Sequence, residues 1–308
     1  MTQATHLLPE DLQRNNETLL SRKHLIKWID RAMRADHEID RFVQDGKARI
    51  TAWLQPTYFD SKQVRLDQLR QMDLEQLVRD IFIGVAFIEQ DELFVSATSK
   101  LAKHLSFDDK RDSIRTVAEM CAVLCWTGAF TLHKEEEADS LRVQGNLKLP
   151  KDLQEAIRRS LYLPPMVCRP NIVKSNYESA YLLHNDSLIL GKGNAHSGDI
   201  CLDVINTQNQ IALQLDLEFL SSVEEEPTFE LDSVAKLNNW QQFKWDSYNL
   251  YEMIARQGNT FWLTNKPDKR GRGYAQGYHI TTQGSPFKKA MIELKHEELV
   301  TGVPTTEN

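Results

Sequence analysis

Apolar residues return at helical spacing through the first 126 positions. Leu19, Ile26, Ile29, Met33, Ile39 and Phe42 predict one helix over 16–45, capped by Asn15 or Asn16 and stopped at Gly46. A further helix is expected after Asp73, with Leu74, Leu77, Val78, Ile81 and Phe82 on one face. Residues 94–105 and 112–126 also read as helical, the latter turning Ile114, Val117, Cys121, Leu124 and Cys125 inward. The pattern changes at Thr127. Phe130–Leu132 and Leu141–Val143 flank a charged run from Lys134 to Asp139, which predicts a hairpin. Pro150 and Asp152 open a short helix to Leu161, and the prolines of Leu163–Pro170 exclude a regular element there. A strand pair is expected over 172–190, a helix over 199–217, a loop at Glu224–Pro227, a helix over 247–257 and short strands at 260–263 and 273–280. The expected fold is α+β. A helical N-terminal domain (1–126) would be followed by hairpins and an irregular connector (127–245), then a final segment (246–308).

Composition narrows the classes. A chain of 308 residues with a net charge of −7 can bury a sizeable core and is no basic nucleic-acid coat, so contact with DNA or RNA would come from local patches. Four cysteines (Cys121, Cys125, Cys168, Cys201) make no disulfide framework at this length. The first residues carry no basic and apolar leader, and no apolar run reaches the ~18 residues of a membrane span. A reducing cytoplasm and no membrane are expected.

The densest chemistry lies in Thr264-Asn-Lys-Pro-Asp-Lys-Arg-Gly-Arg-Gly-Tyr-Ala275. It gathers Lys266, Lys269, Arg270 and Arg272 around Gly271 and Gly273. Glycines let cations and backbone N–H groups approach a phosphate chain; a solvated turn between two strands is the plainer reading. Other features are weaker. Cys121 and Cys125 share a helix face and with His133 could meet zinc, but core packing is favoured. Gly191-Lys-Gly193 lacks the spacing of a P-loop, and Asp36-His-Glu38 and Glu135–Glu137 read as solvated charge.

Further motifs fall in a consistent order around that segment: Pro165-Met-Val-Cys-Arg-Pro170, the amide-rich Leu202–Ala212, Ser247–Gly258, then Asp268-x-x-Gly271-Arg272-x-Tyr274-Ala275 and Gln283-Gly284. Together they resemble the phage-type and mitochondrial single-subunit DNA-dependent RNA polymerases. Within that family the chain resembles the small, N-terminal subunit of the two-chain enzymes that some podophages use for middle-gene transcription. Pro170 is followed by Asn171-Ile172 where the family has Pro-Trp, and His184-Asn-Asp-Ser187 carries an inserted Asn relative to the family's His-Asp-Ser.

The resemblance implies a right-hand polymerase, with a reduced thumb-like region within 127–245 and the start of its palm, carrying the Asp-x-x-Gly-Arg element, at 246–308. Arg272 would grip the template or the RNA–DNA hybrid, Arg270, Lys269 and Lys266 would widen the cationic surface, Gly271 would allow close approach, Asp268 would position the loop and Tyr274 would pack on sugar or template. The family's catalytic aspartates and nucleotide-binding residues follow this element, so no catalytic residue or metal ligand is expected here. Mg²⁺ would be held by a catalytic large subunit that covers Phe287, Ala290, Met291 and Leu294. A bacterial host cytoplasm and a single-stranded-DNA-binding auxiliary factor are also implied. Two alternatives stay open at this point: a polymerase-derived regulator that binds nucleic acid or a polymerase without catalytic role, and an unrelated α+β protein.

Overall fold

The computed structural model describes residues 8–88, 91–105, 107–135, 139–161, 163–183, 188–191, 196–297 and 302. The fold is α+β. It divides into two compact units, Arg22–Arg158 and Met1–Ser21 with Arg159–Asn308.

The expected single helix over 16–45 is three: α1 (Pro9–Leu19), α2 (Arg22–Ala35) and α3 (His37–Trp53). Asp36 makes the second break. Its backbone is extended and its carboxylate accepts the N–H groups of Glu38 and Ile39, at 2.8 and 3.2 Å, which starts a new helix. Gly46 does not stop that helix; it lies inside α3. A Cβ there would stand 2.9 Å from Val78 Cγ1 and 3.0 Å from Leu124 Cδ2, so the missing side chain lets neighbouring helices close in.

Those neighbours are α5 (Leu74–Ala86), which starts after Asp73 as expected and is capped by its side chain, and α7 (Lys110–Leu124); α4 (Asp60–Arg70) precedes them. The core joins Leu25, Ile29 and Met33 of α2, Val43 and Ile50 of α3, Val78 and Phe82 of α5, and Val117 and Met120 of α7. Helix α4 eluded the apolar pattern because its buried face includes a cation. Arg65 is 2% exposed and donates to Thr116 Oγ1 at 2.6 Å and to Glu119 Oε1 at 2.8 Å. The rest of this unit is β1 (Glu92–Leu93), α6 (Phe94–Leu101), the expected hairpin β2 (Phe130–Glu135) and β3 (Ser140–Gly145), and α8 (Lys151–Leu161) as far as Arg158. The sheet order is β1-β3-β2, and Phe130 meets Phe82 edge to face. The hairpin tip, 136–138, lies outside the described residues.

The second unit has one long helix, α11 (Val234–Arg256), among short elements: α9 (Leu202–Asn209), β4 (Leu213–Leu215), α10 (Leu217–Ser222), β5 (Asn265–Pro267), β6 (Gly273–Ala275), α12 (Pro286–Ala290) and β7 (Ile292–Leu294). Its core combines Val167, Leu213, Leu215, Leu250, Tyr251, Ile254, Phe261, Leu263, Ile280 and Met291. Strands β4 and β7 pair antiparallel, with Leu213 opposite Leu294. The expected strand at 260–263 reduces to two single bridges, Phe261 with Leu213 and Trp262 with Met166. The expected helix over 199–217 ends at Asn209 and gives way to β4. No strand occurs among the described residues of 172–190. Their backbone is tied instead by loop bonds, such as Asn171 N–H to the Ala180 carbonyl at 2.9 Å, and by side chains.

Helix α1 belongs to this unit and enters it through polar residues. Gln13 and Glu17, one turn apart, are 2% and 5% exposed. Gln13 Oε1 accepts Val167 N–H at 2.9 Å, and its amide donates to Glu17 at 2.8 Å. Glu17 accepts the N–H groups of Leu182 and Leu183, at 2.9 and 2.5 Å. Among the described residues no helix is long and apolar enough to cross a membrane.

Replacing Gly46 by Val should destabilise the chain by about 1–3 kcal/mol, because the added methyl groups overpack the contact with Val78 and Leu124 despite relieving a helical glycine. Urea unfolding measures this; a variant as stable as the parent would contradict the close approach.

Candidate nucleic-acid interface

The basic segment forms a hairpin. β5 pairs antiparallel with β6 in the register Asn265–Ala275, Lys266–Tyr274 and Pro267–Gly273. Asp268 N–H bonds the Arg272 carbonyl at 2.8 Å and Gly271 N–H bonds the Asp268 carbonyl at 3.0 Å. Gly271 has φ +81° and open space where a Cβ would stand, so glycine answers a backbone need here.

One carboxylate organises the turn. Asp268 Oδ1 accepts the backbone N–H groups of Arg270 and Arg272, and Oδ2 accepts both guanidinium groups. Partial burial alone would raise this carboxyl, but the bonds from the Arg272 backbone and guanidinium outweigh it and hold it below the usual carboxylate range. The same contact raises Arg272. The guanidinium of Arg272 also lies over the Tyr274 ring, 5.6 Å from its centroid. Arg270 and Arg272 remain largely exposed, as is Lys269, while Lys266 and Tyr274 are half-buried. The structure therefore brings Asp268, Lys269, Arg270, Gly271, Arg272 and Tyr274 together on one turn, with Lys266 on its inner strand.

Side-chain amides brace this hairpin on both edges. On the β5 side, the fully buried Asn209 accepts Asn265 N–H at 2.7 Å. On the β6 side, Gln283 acts as a missing strand: its Oε1 accepts Ala275 N–H at 3.0 Å and its amide donates to the Gly273 carbonyl at 3.1 Å. Further along α9 and just past its end, Asn206 exchanges two 2.8 Å bonds with the Val173 backbone, while Gln210 donates to the Pro170 carbonyl at 3.0 Å and accepts from Arg169. The Pro-Met-Val-Cys connector and the basic hairpin are thus tied to the same helix. Their sequence signal was the uncharged amide run Asn206-Thr-Gln-Asn-Gln210, which carries no periodicity to mark it.

Burial pushes the Cys168 thiol up to about 11 and the Cys121 thiol up to about 12, so both stay protonated and inert at neutral pH. His133 pairs with Asp91 at 3.4 Å. Among the described residues no three His, Cys, Asp or Glu side chains converge as metal ligands, and the residues present do not fit a magnesium pair. Residues 184–187, and Lys192 and Gly193, lie outside the described residues.

Beyond the hairpin, Trp240, Phe243 and His279 stack at 5.4 and 5.3 Å. Burial, with Lys288 nearby, pushes the His279 imidazole down to about 4. Ser247 donates to the Phe243 carbonyl at 2.8 Å, and its Oγ lies 2.8 Å from His279 Nδ1. Of the expected partner-facing residues, Met291 is fully buried in this unit's own core and offers no surface. Phe287 is half-buried, its ring 5.3 Å from that of Phe219. Ala290 and Leu294 are exposed.

No protein-family model matches the chain. Over 168 residues it is 29% identical to a probable DNA-directed RNA polymerase of Gelasinospora sp. (strain G114), a match covering 48% of this chain and 19% of that protein. The similarity supports a relationship to RNA polymerases. The chain thus spans less than a fifth of the length of the curated relative it matches.

Replacing Gln283 by Ala should raise the exchange rate of the Ala275 amide roughly two- to ten-fold, the value of one exposed hydrogen bond, while the core of the unit keeps its protection. Unchanged exchange at Ala275 would show that Gln283 does not hold the strand.

Proposed function

We propose that this chain is the non-catalytic subunit of a two-chain DNA-directed RNA polymerase, gripping template and RNA–DNA hybrid while a large partner chain performs nucleotidyl transfer. The observation that carries the reading is the braced β5–β6 hairpin. It presents Lys269, Arg270 and Arg272 to solvent from a chain of net charge −7, in a protein with polymerase similarity.

Each residue then has a physical task. Arg272 and Arg270 offer planar N–H forks to phosphodiester oxygens, which a lysine could match only as a point charge. Lys269 adds charge that steers a polyanion, and Gly271 keeps the turn free of a side chain, so the strand can come close. Tyr274 holds the Arg272 guanidinium from its ring face. Such contacts position the strand without reading its bases. When bound, Mg²⁺ stabilises the charge that develops in phosphoryl transfer. Its ligands are assigned to the partner, along with the catalytic role. Of the expected joint, Ala290 and Leu294, with part of Phe287, remain as surface for that partner. The complex is placed in the cytoplasm of a phage-infected bacterium, with a single-stranded-DNA-binding factor as an auxiliary.

The test is affinity purification of the tagged chain from cells that express it naturally. A larger chain with polymerase carboxylate motifs should co-elute in matching amount, and only the pair should extend a primed RNA–DNA hybrid with NTPs and Mg²⁺. Extension by the purified chain alone would overturn the division of labour. Recovery of an active chain without such a partner would point to a regulator.

A further inference from the structure

The turn already holds an anion, and that anion is the protein's own. Oδ2 of Asp268 lies 3.1 and 2.9 Å from Nε and Nη2 of Arg270, and 2.8 Å from both Nε and Nη2 of Arg272. Oδ1 takes the backbone N–H groups of Arg270 at 2.8 Å and Arg272 at 3.1 Å. Two guanidinium forks and two main-chain amides thus converge on one carboxylate. A carboxylate has about four lone-pair sites, so these N–H groups oversubscribe it. Forks and amides so arranged form the donor set that binds a phosphodiester.

The two oxygens divide the work. Oδ1 closes the turn through backbone amides, whereas Oδ2 is held by side chains alone. Those side chains are reachable: Arg270 is 68% and Arg272 53% exposed. Ion pairs this exposed are weak, so a competing anion can take the guanidiniums at little cost.

We propose that Asp268 occupies the phosphate position of a two-arginine clamp in the free chain. A phosphodiester of single-stranded nucleic acid binds by drawing Arg270 and Arg272 from Oδ2, while Oδ1 keeps its amides and the turn its shape. Asp268 is then an internal competitor. It limits affinity for any one phosphate, so a strand can be held and still slide. This inference rests on the nucleic-acid reading of the hairpin above. Its signature is the sign of one substitution: neutralising Asp268 should strengthen binding, where loss of a structural residue would weaken it.

The experiment titrates the full chain with fluorescent oligo(dT) across a salt series. Asp268→Asn retains Oδ1 and removes the charge. It should tighten binding roughly two- to ten-fold and steepen the log–log salt dependence by about one unit. Exchange of the Arg272 amide reports whether the turn is intact. A second readout needs no variant: in the parent chain, the Asp268 carboxyl should titrate at higher pH with oligo(dT) bound than without, because its cations have left. Weaker or unchanged binding by Asp268→Asn with the turn intact overturns the proposal. An unmoved Asp268 titration at saturating oligo(dT) overturns it too, and decides alone if the variant loses its turn. The double variant Arg270→Ala/Arg272→Ala separates the two levels. If it binds oligo(dT) as the parent does, the nucleic-acid reading fails and takes the inference with it. If it binds more weakly while Asp268→Asn also binds more weakly, only the inference fails.

Discussion

Irregular backbone must satisfy its N–H and C=O groups without long ladders, and in the second unit side-chain amides and carboxylates do so. Leaving one such group buried and unpaired costs about 1–3 kcal/mol, more than an exposed ion pair returns. Gln13 and Glu17 serve the connector and the loop near Leu182; Asn206 and Gln210 serve the chain from Pro170 to Val173; Asn209 and Gln283 serve the two edges of the basic hairpin. The short strands and single bridges of this unit depend on those contacts. So does the aim of Arg270 and Arg272, since a turn on a frayed hairpin could not hold two guanidinium groups near one point.

That dependence explains what could be read from the chain and what could not. In the helical unit, α5, α6, α7 and the β2–β3 hairpin follow their apolar spacing, because burial of one face decides them. Helix α4 escaped notice because Arg65 lies on its buried face, and Gly46 was misread because a helical glycine and a stopping glycine look alike without the neighbouring helix. In the second unit the controlling bonds join residues far apart in the chain, such as Gln13 with Val167 and Asn209 with Asn265. Short-range periodicity is blind to them, so strands were expected at 172–190 where none is described.

The basic segment is a different case. Lys269, Arg270, Gly271 and Arg272 lie in one short run, so their clustering is read directly along the chain, and the hairpin carries them on one turn. For Asp268 the resemblance implies only loop positioning; that its second oxygen gathers both guanidiniums is a matter of geometry. Met291 shows the converse limit. An amphipathic segment displays an apolar face, but spacing cannot tell a face kept for a partner from one that the chain buries itself.

The central claim is that the hairpin at 265–275 is where this chain meets nucleic acid, on a body whose net charge would otherwise repel it. Photo-cross-linking tests this most directly. A thiouridine-bearing RNA annealed to template DNA is irradiated with the chain, and the attached peptide is mapped by mass spectrometry. The account predicts cross-links within or beside residues 265–275, lost in high salt. Cross-links confined to the helical unit, or none at low salt, would contradict it.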